Sequence, residues 1–224
     1  MLVTIPDILN NEDIDVIADL MATANFREGT TSAGSEAKRV KNNHEMFISE
    51  AETQRLNNLV MGKLIKNKTY VDTAFAARIA APYYARYSKG MSYGNHVDDP
   101  VMGPPNQRYR SDISITIFLN APEAYEGGEL VINTQFGEQK VKLNAGDAVL
   151  YPSSSTHRVA EVTKGERLVA VTWLQSTIRD PAKRELLYNL SQARETLIKT
   201  SAGSQELEQL SNGYVNLLRM WTDI

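Results

Sequence analysis

His96 and Asp98, one residue apart, and His157, about sixty residues further on in Tyr151-Pro-Ser-Ser-Ser-Thr-His157-Arg-Val, offer two imidazoles and one carboxylate from strand-like sequence. Side chains at i and i+2 share a face only where the backbone is extended, so the first pair converges at a strand end and would splay in a helix. Two His and one carboxylate on one face of an octahedral Fe(II) leave three positions open, enough for a co-substrate and dioxygen to meet on the metal. A structural metal site closes those positions.

Ten residues beyond His157, after the turn-like Thr163-Lys-Gly-Glu166, Arg167 begins the expected strand Arg167-Leu-Val-Ala-Val-Thr-Trp-Leu174. Alternation places it with Val169, Val171 and Trp173, a guanidinium on an otherwise apolar face that calls for an anionic partner. Arg108, Arg110 and Arg158 lie near these segments and are expected to favour an acidic or carboxylate-bearing substrate. Asp99-Pro-Val-Met-Gly-Pro-Pro-Asn-Gln107 follows the ligand pair directly and is a candidate substrate loop. Other residues invite blander readings. Asp99 points to the opposite face of a strand from Asp98. His44, in polar Lys-Asn-Asn-His44-Glu-Met, reads as a solvated side chain outside the β core. No helix start follows Gly127-Gly128, so the pair reads as a turn rather than a phosphate cradle.

These groups need a rigid frame. Pro82-Tyr-Tyr-Ala-Arg-Tyr87 is rich in β-favouring aromatics, and Gly90 and Gly94 bracket a bend before His96. Ile113 to Leu119, Leu130-Val-Ile-Asn and Lys140-Val-Lys-Leu, punctuated by turn signals, read as an all-β sandwich or barrel. Upstream, Asn10 or Asn11 can cap a helix carrying Ile14, Ile17, Ala18 and Met21, and Ser49 with Glu52 forms a capping box before Leu56, Leu59, Val60 and Leu64. Residues 25 to 43 read as a loop or short hairpin. Asp180 and Pro181 open a helix with Leu186, Leu187, Leu190 and Ala193 as its stripe; a second, after Ser201-Ala-Gly-Ser204, carries Leu207, Leu210, Tyr214, Leu217 and Trp221. That pair either packs on the β core or makes a homodimer contact.

The run Tyr87-Ser-Lys-Gly90-Met-Ser-Tyr93-Gly-Asn-His96-Val-Asp98 is similar to the Tyr-x-x-Gly-x-x-Tyr-x-x-His-x-Asp approach of the prolyl 4-hydroxylase-like branch of the Fe(II)/2-oxoglutarate-dependent dioxygenases. Arg110 to Asn120, Tyr125 to Leu130 and Ala145 to Pro152 resemble the same branch strand by strand. The closest resemblance is to the bacterial PKHD-type hydroxylases, with one departure: Gly94-Asn95 stands where the family label has Pro-Lys. The resemblance implies a mainly β fold with flanking helices (α+β), a double-stranded β-helix or jelly-roll core over residues 78–177. Residues 1–77 would pack on it as a helix and strand region, and 178–224 would form a C-terminal helical extension. It implies Fe(2+) on His96, Asp98 and His157, and 2-oxoglutarate held by Arg167 with a hydroxyl from Tyr87. Dioxygen would be consumed, and L-ascorbate would rescue oxidised iron. The expected reaction is oxidative decarboxylation of 2-oxoglutarate to succinate and CO2, coupled to C–H hydroxylation of a peptidyl or small-molecule substrate. Asp98 favours hydroxylation, because the related halogenating enzymes lack that carboxylate. A cupin-like metalloenzyme that does not use 2-oxoglutarate has no need of Arg167. A non-catalytic sensor tends to lose a ligand, and here all three stand.

Composition agrees with a soluble enzyme. At 224 residues and 42% hydrophobic, the chain can bury a substantial core. A net charge of −3 gives no electrostatic reason to expect nucleic acid or an anionic membrane as partner. With no Cys, neither disulfide nor thiolate chemistry is available. Met1-Leu-Val-Thr-Ile-Pro-Asp has no basic or long apolar stretch, so neither signal peptide nor membrane anchor is expected, and the cytoplasm is the default.

Overall fold

The computed structural model describes residues 1–32, 34 and 37–223. The first third supplies β1 (Val3–Ile5), α1 (Asn11–Thr23), β2 (Asn25–Glu28), β3 (Lys41–Asn42), β4 (His44–Phe47), α2 (Glu50–Leu64), α3 (Lys68–Ala74) and β5 (Ala76–Ile79). Strands follow: β6 (Tyr83–Ser88), β7 (Ser92–His96), β8 (Val101–Met102), β9 (Tyr109–Arg110), β10 (Ile113–Phe118) and β11 (Tyr125–Gly127). Then come β12 (Leu130–Thr134), β13 (Gly137–Val141), β14 (Ala148–Pro152), β15 (His157–Val159) and β16 (Val162–Ser176), and the chain ends in α4 (Pro181–Thr200) and α5 (Gln205–Trp221).

Among the described residues, nine strands form a major sheet in the order β1-β14-β10-β16-β6-β4-β2, with β11 and β5 pairing onto β16. Five form a minor sheet, β13-β12-β15-β7-β3, and β8 and β9 make a separate hairpin. This is the mainly β jelly-roll architecture with flanking helices. Strand β10 is buried along its whole length because both its faces are covered. Ile113, Ile115 and Ile117 pack outward with Ile17, Met21, Leu56, Val60 and Leu64 of the helices. Ser114, Thr116 and Phe118 therefore point to the interior between the sheets.

Local signals start the helices. Asn10 and Asp13 close a capping box on α1, and Ser49 and Glu52 close one on α2, each satisfying two backbone donors that the first helical turn leaves free. Asp180 caps α4 by accepting the Ala182 N–H at 2.8 Å. The C-terminal helices pack on the body of the protein. Leu187, Tyr214 and Ile178 form a small core with Phe75, Leu190 and Trp221, and Ser191 donates to Asp72 of α3 at 3.0 Å. Leu186, expected in the buried stripe of α4, is 46% exposed on the other side.

Two expectations need correction. The segment Thr163 to Glu166 is not a turn; β16 runs unbroken through it, because Gly165 adopts a positive φ of 71° that lets β11 lie alongside. Residues 25 to 43, read as a loop or short hairpin, contribute β2, which pairs antiparallel with β4, and β3; residues 33, 35 and 36 of that reading lie outside the described residues, and β4 in turn pairs with β6. His44 is consequently half-buried in the sheet, 3.6 Å from Glu28, rather than solvated outside it. It sits opposite Arg86 while Glu45 sits opposite Ala85, so alternation turns His44 away from the interior.

Candidate metal centre and co-substrate pocket

His96 ends β7 and His157 begins β15, and the antiparallel pairing of those strands places the two residues directly opposite each other. Their ring centroids are 4.2 Å apart. Asp98 follows just off the strand end, with its Oδ1 3.9 Å from His96 Nε2 and its Oδ2 3.8 Å from His157 Nε2. All three ligand atoms lie within 4.8 Å of one another, the one such His, Asp or Glu group among the described residues. The Nδ1 of His96 lies 2.8 Å from Gly94 O and that of His157 3.0 Å from Ser155 O. A carbonyl can only accept, so each Nδ1 carries a proton, and each Nε2 is the ring nitrogen left to face a metal.

Neighbours hold this geometry. Tyr93 stacks on His96 with centroids 3.6 Å apart and planes 13° from parallel, and Tyr151 meets His157 edge-on at 5.0 Å. Burial, followed by the neighbouring His157, pushes His96 down to about 4, which keeps it neutral near pH 7. Ser114 donates to Asp98 Oδ2 at 2.5 Å. Its single proton is then committed, so the 2.8 Å contact with Ser153 has Ser153 as donor. Two imidazoles and one oriented carboxylate fit a six-coordinate divalent ion that retains open positions, the pattern of non-haem Fe(II).

Arg167 is the largest fully buried side chain described, at 1% exposure. It faces inward from β16 directly opposite Tyr87 of β6, with its guanidinium 5.1 Å from the Tyr87 ring and 5.6 Å from the Phe118 ring. Among the described residues no carboxylate pairs with it, and its Nε is buried without a hydrogen-bond partner. An unpaired buried cation is costly, so this pocket fits an anion that the protein itself does not supply. Arg167, His96, Asp98 and His157 all line one cavity of about 1210 Å³.

Known proteins resemble this chain in sequence and fold. The model of the 2OG-Fe(II) oxygenase superfamily matches residues 82–175, and that of the PKHD-type hydroxylase C-terminal domain matches residues 181–223. A PKHD-type hydroxylase of Thioalkalivibrio sulfidiphilus is 48% identical over 224 residues, covering 100% of both chains. One from Alteromonas mediterranea is 42% identical over 226 residues, again covering 100% of both. The chain belongs to the PKHD-type hydroxylases. Among solved structures, the fold is shared with a prolyl-4-hydroxylase of Pseudomonas putida, at a TM-score of 0.51 and 19% identity over 78% of this chain and 92% of that one. It is shared also with a prolyl hydroxylase from Trichoplax adhaerens, at 0.57 and 15% over 85% and 86%. This PKHD-type hydroxylase is thus a dioxygenase whose family uses Fe(II), 2-oxoglutarate and dioxygen.

Other residues of the hydroxylase fall in unexpected places. Neither Arg108 nor Arg110 lines the cavity. The Arg110 guanidinium turns to Asp112 in a two-point pair at 2.6 and 2.9 Å, and Arg108 is exposed with its carbonyl accepting from Arg78. Arg158 pairs with Glu138 on the surface at 2.6 Å. The Asp99 to Gln107 segment does reach the cavity, through Val101, Met102, Pro104 and others. Tyr87 lends its ring to Arg167, while its hydroxyl faces Asn43; burial raises that phenol to about 12 against the opposing charge of Arg167. Ser114 and Ser153 escaped sequence reading. The alternation Ile-Ser-Ile-Thr-Ile carried the signal for Ser114, since polar residues at every second place of an apolar strand mark a second, functional face.

Proposed function

We propose that the chain is an Fe(II)- and 2-oxoglutarate-dependent hydroxylase in which His96, Asp98 and His157 hold the iron and Arg167 pairs with the distal carboxylate of 2-oxoglutarate. One observation carries this reading: a fully buried guanidinium without an anion lines the same cavity as a two-imidazole, one-carboxylate cluster. Bound there, the two groups would supply oxidative decarboxylation to succinate and CO2 coupled to insertion of hydroxyl into a substrate C–H bond. The chain's own task is placement. Arg167 fixes one end of a dicarboxylate by charge and two-point hydrogen bonding, Tyr87 and Phe118 wall the guanidinium off from water, and Ser114 keeps Asp98 turned toward the imidazoles. Ascorbate as reductant and a cytoplasmic location belong to the same proposal.

The cavity mouth indicates the kind of substrate. Phe47, Tyr83, Val97 and Val101 line it and are each more than 40% exposed, so a substrate with an apolar body, peptidyl or small, would bury them. Candidate substrates can be ranked by the succinate formation they stimulate. A Phe47→Ser variant should raise KM for the true substrate, and an unchanged KM would refute the apolar rim.

The cofactor assignment is tested by anaerobic titration of metal-free protein with Fe(II) and then 2-oxoglutarate, following the visible charge-transfer band, with His157→Ala and Arg167→Ala alongside. The native protein should give a band that needs His157 and moves to much higher 2-oxoglutarate concentration without Arg167. Iron binding with no band would overturn the 2-oxoglutarate reading in favour of a cupin-like metalloenzyme.

A further inference from the structure

A buried carboxylate outside the metal cluster also faces the cavity. Glu45 sits opposite Ala85 of β6, an interior residue clustered with Tyr87 and Phe118, so the alternation that turns His44 away turns Glu45 inward. It is 3% exposed and lines the same cavity as His96, Asp98 and His157. Its Oε1 accepts from Lys41 Nζ at 2.7 Å and from the Ser32 hydroxyl. Its Oε2 is buried with no hydrogen-bond partner among the described residues.

Lys41 belongs to β3, at the edge of the minor sheet and directly opposite Tyr93, whereas Glu45 belongs to the major sheet. The ion pair therefore spans the two sheets. It is one aromatic ring away from the metal cluster: Lys41 Nζ stands 5.5 Å from the centre of the Tyr93 ring, which stacks on His96. A tie between sheets needs only Oε1. An unpaired buried Oε2 is costly, and it marks a place for a donor from outside the chain.

Charge narrows the kind of donor. Lys41 already neutralises the carboxylate, so a second cation would give up its hydration for little net attraction, while an amide N–H gives up much less. Position narrows it further. Phe47 is two residues along β4 on the same face, 57% exposed at the cavity mouth, and so about 6.8 Å from Glu45 at the rise of an extended strand. An extended peptide has the same repeat. Its N–H can meet Oε2 while an apolar side chain two residues away packs on Phe47.

We propose that Glu45 is a specificity-determining residue whose Oε2 accepts a backbone amide N–H of an extended peptidyl substrate, with Lys41 holding the carboxylate in place. This rests on the hydroxylase reading above. The probes are a pool of hexapeptides blocked at both ends and rich in apolar residues, and the same pool N-methylated at single backbone positions. Hydroxylation is read as the mass gain of one oxygen atom. For peptides that react, methylation at one position should lower kcat/KM roughly ten- to a hundredfold, chiefly through KM, the scale of one hydrogen bond to a charged group. Glu45→Gln keeps an oxygen for Lys41 and puts an NH2 where Oε2 stands, so it should impose a similar loss on the unmethylated peptides and little further loss on the methylated ones. Glu45→Asp, which keeps the charge but draws the carboxylate back by one methylene, should show the same pattern and serves if the first variant does not fold. Equal losses on both kinds of peptide, the pattern of a purely structural tie, would overturn the proposal. So would native protein that ignores methylation, or a pool in which no peptide reacts although the charge-transfer band with 2-oxoglutarate is present. No band in the native protein would instead defeat the co-substrate reading itself, so the two failures are distinguishable.

Discussion

Replacing Ser114 by alanine should weaken metal binding without disturbing the fold. Ser114 is fully buried, and its hydroxyl is the hydrogen-bond donor to Asp98 Oδ2 at 2.5 Å. The substitution removes one oxygen and opens no cavity large enough to collapse, so the packing cost is small. What is lost is orientation. Asp98 would no longer be fixed with Oδ1 toward His96, and Ser153, which donates to Ser114, would lose its acceptor as well. Hydrogen-bond partners of metal-binding side chains typically contribute 10- to 100-fold in affinity, so the expected loss is about 1.4 to 2.7 kcal/mol. Calorimetric titration of metal-free protein with Co(II) reads this directly. Ser153→Ala, acting only through Ser114, should have a smaller effect than Ser114→Ala. An affinity for Co(II) within twofold of native in a folded Ser114→Ala protein would refute the reasoning, and a larger effect at Ser153 would refute the order of the chain.

Three further outcomes are expected. Arg110→Ala should leave 2-oxoglutarate affinity unchanged while lowering stability by about 1 kcal/mol in urea titration; its pair with Asp112 is partly open to solvent, and Asp112 keeps the Ser176 N–H at 2.9 Å. Asp13 is held below its usual value of 3.8 because, although burial opposes ionisation, hydrogen bonds from Lys63 and the Asn10 N–H and the Lys63 charge outweigh it. Its stabilisation is therefore complete above the unfolded value and is lost as pH falls through the lower folded one, so a thermal-denaturation deficit of about 1 kcal/mol in Asp13→Asn at pH 7 should shrink steadily as the pH is lowered below the unfolded value. Gly165→Ala should destabilise by more than the roughly 1 to 2 kcal/mol that a left-handed backbone costs an L-residue, since its Cβ meets Ala124 O at 2.2 Å; an unchanged melting temperature would contradict this.

The candidate His, Asp, His cluster and the buried Arg167 were legible because their signals are local: an i, i+2 spacing, a flanking glycine, a charge set in an alternating apolar strand. The capping boxes of α1 and α2 were legible for the same reason, each contained within four residues. Pairings between distant segments left no such trace. That β4 joins β6, and so brings Glu45 and Asn43 to the cavity and turns His44 away, depends on contacts across about forty residues. Thr163-Lys-Gly-Glu166 carried turn chemistry and still formed a strand, because the reason for its glycine lies in another strand. The fate of Arg110 could have been read, since Asp112 stands two residues on and an extended backbone puts both on one face.

Strand β16 ties these parts together. Its inward residues Arg167, Val171 and Trp173 all line the cavity, and six residues at about 3.4 Å each span roughly 20 Å along the strand from Arg167 to the level of Ser114. A slip of one residue would turn Arg167 out and Leu168 in, exchanging the buried guanidinium for an apolar side chain and abolishing the anion pocket. Something must fix the register, and apolar patterning is weak here because both faces of the strand are largely covered. Gly165 supplies the missing constraint, since only that position tolerates both the left-handed backbone and the close approach of Ala124. The same glycine that pins the strand also brings Tyr125 beside Arg167, so the register and the surroundings of the buried guanidinium rest on a single backbone position. A turn-like sequence inside a long strand is therefore what this pocket requires.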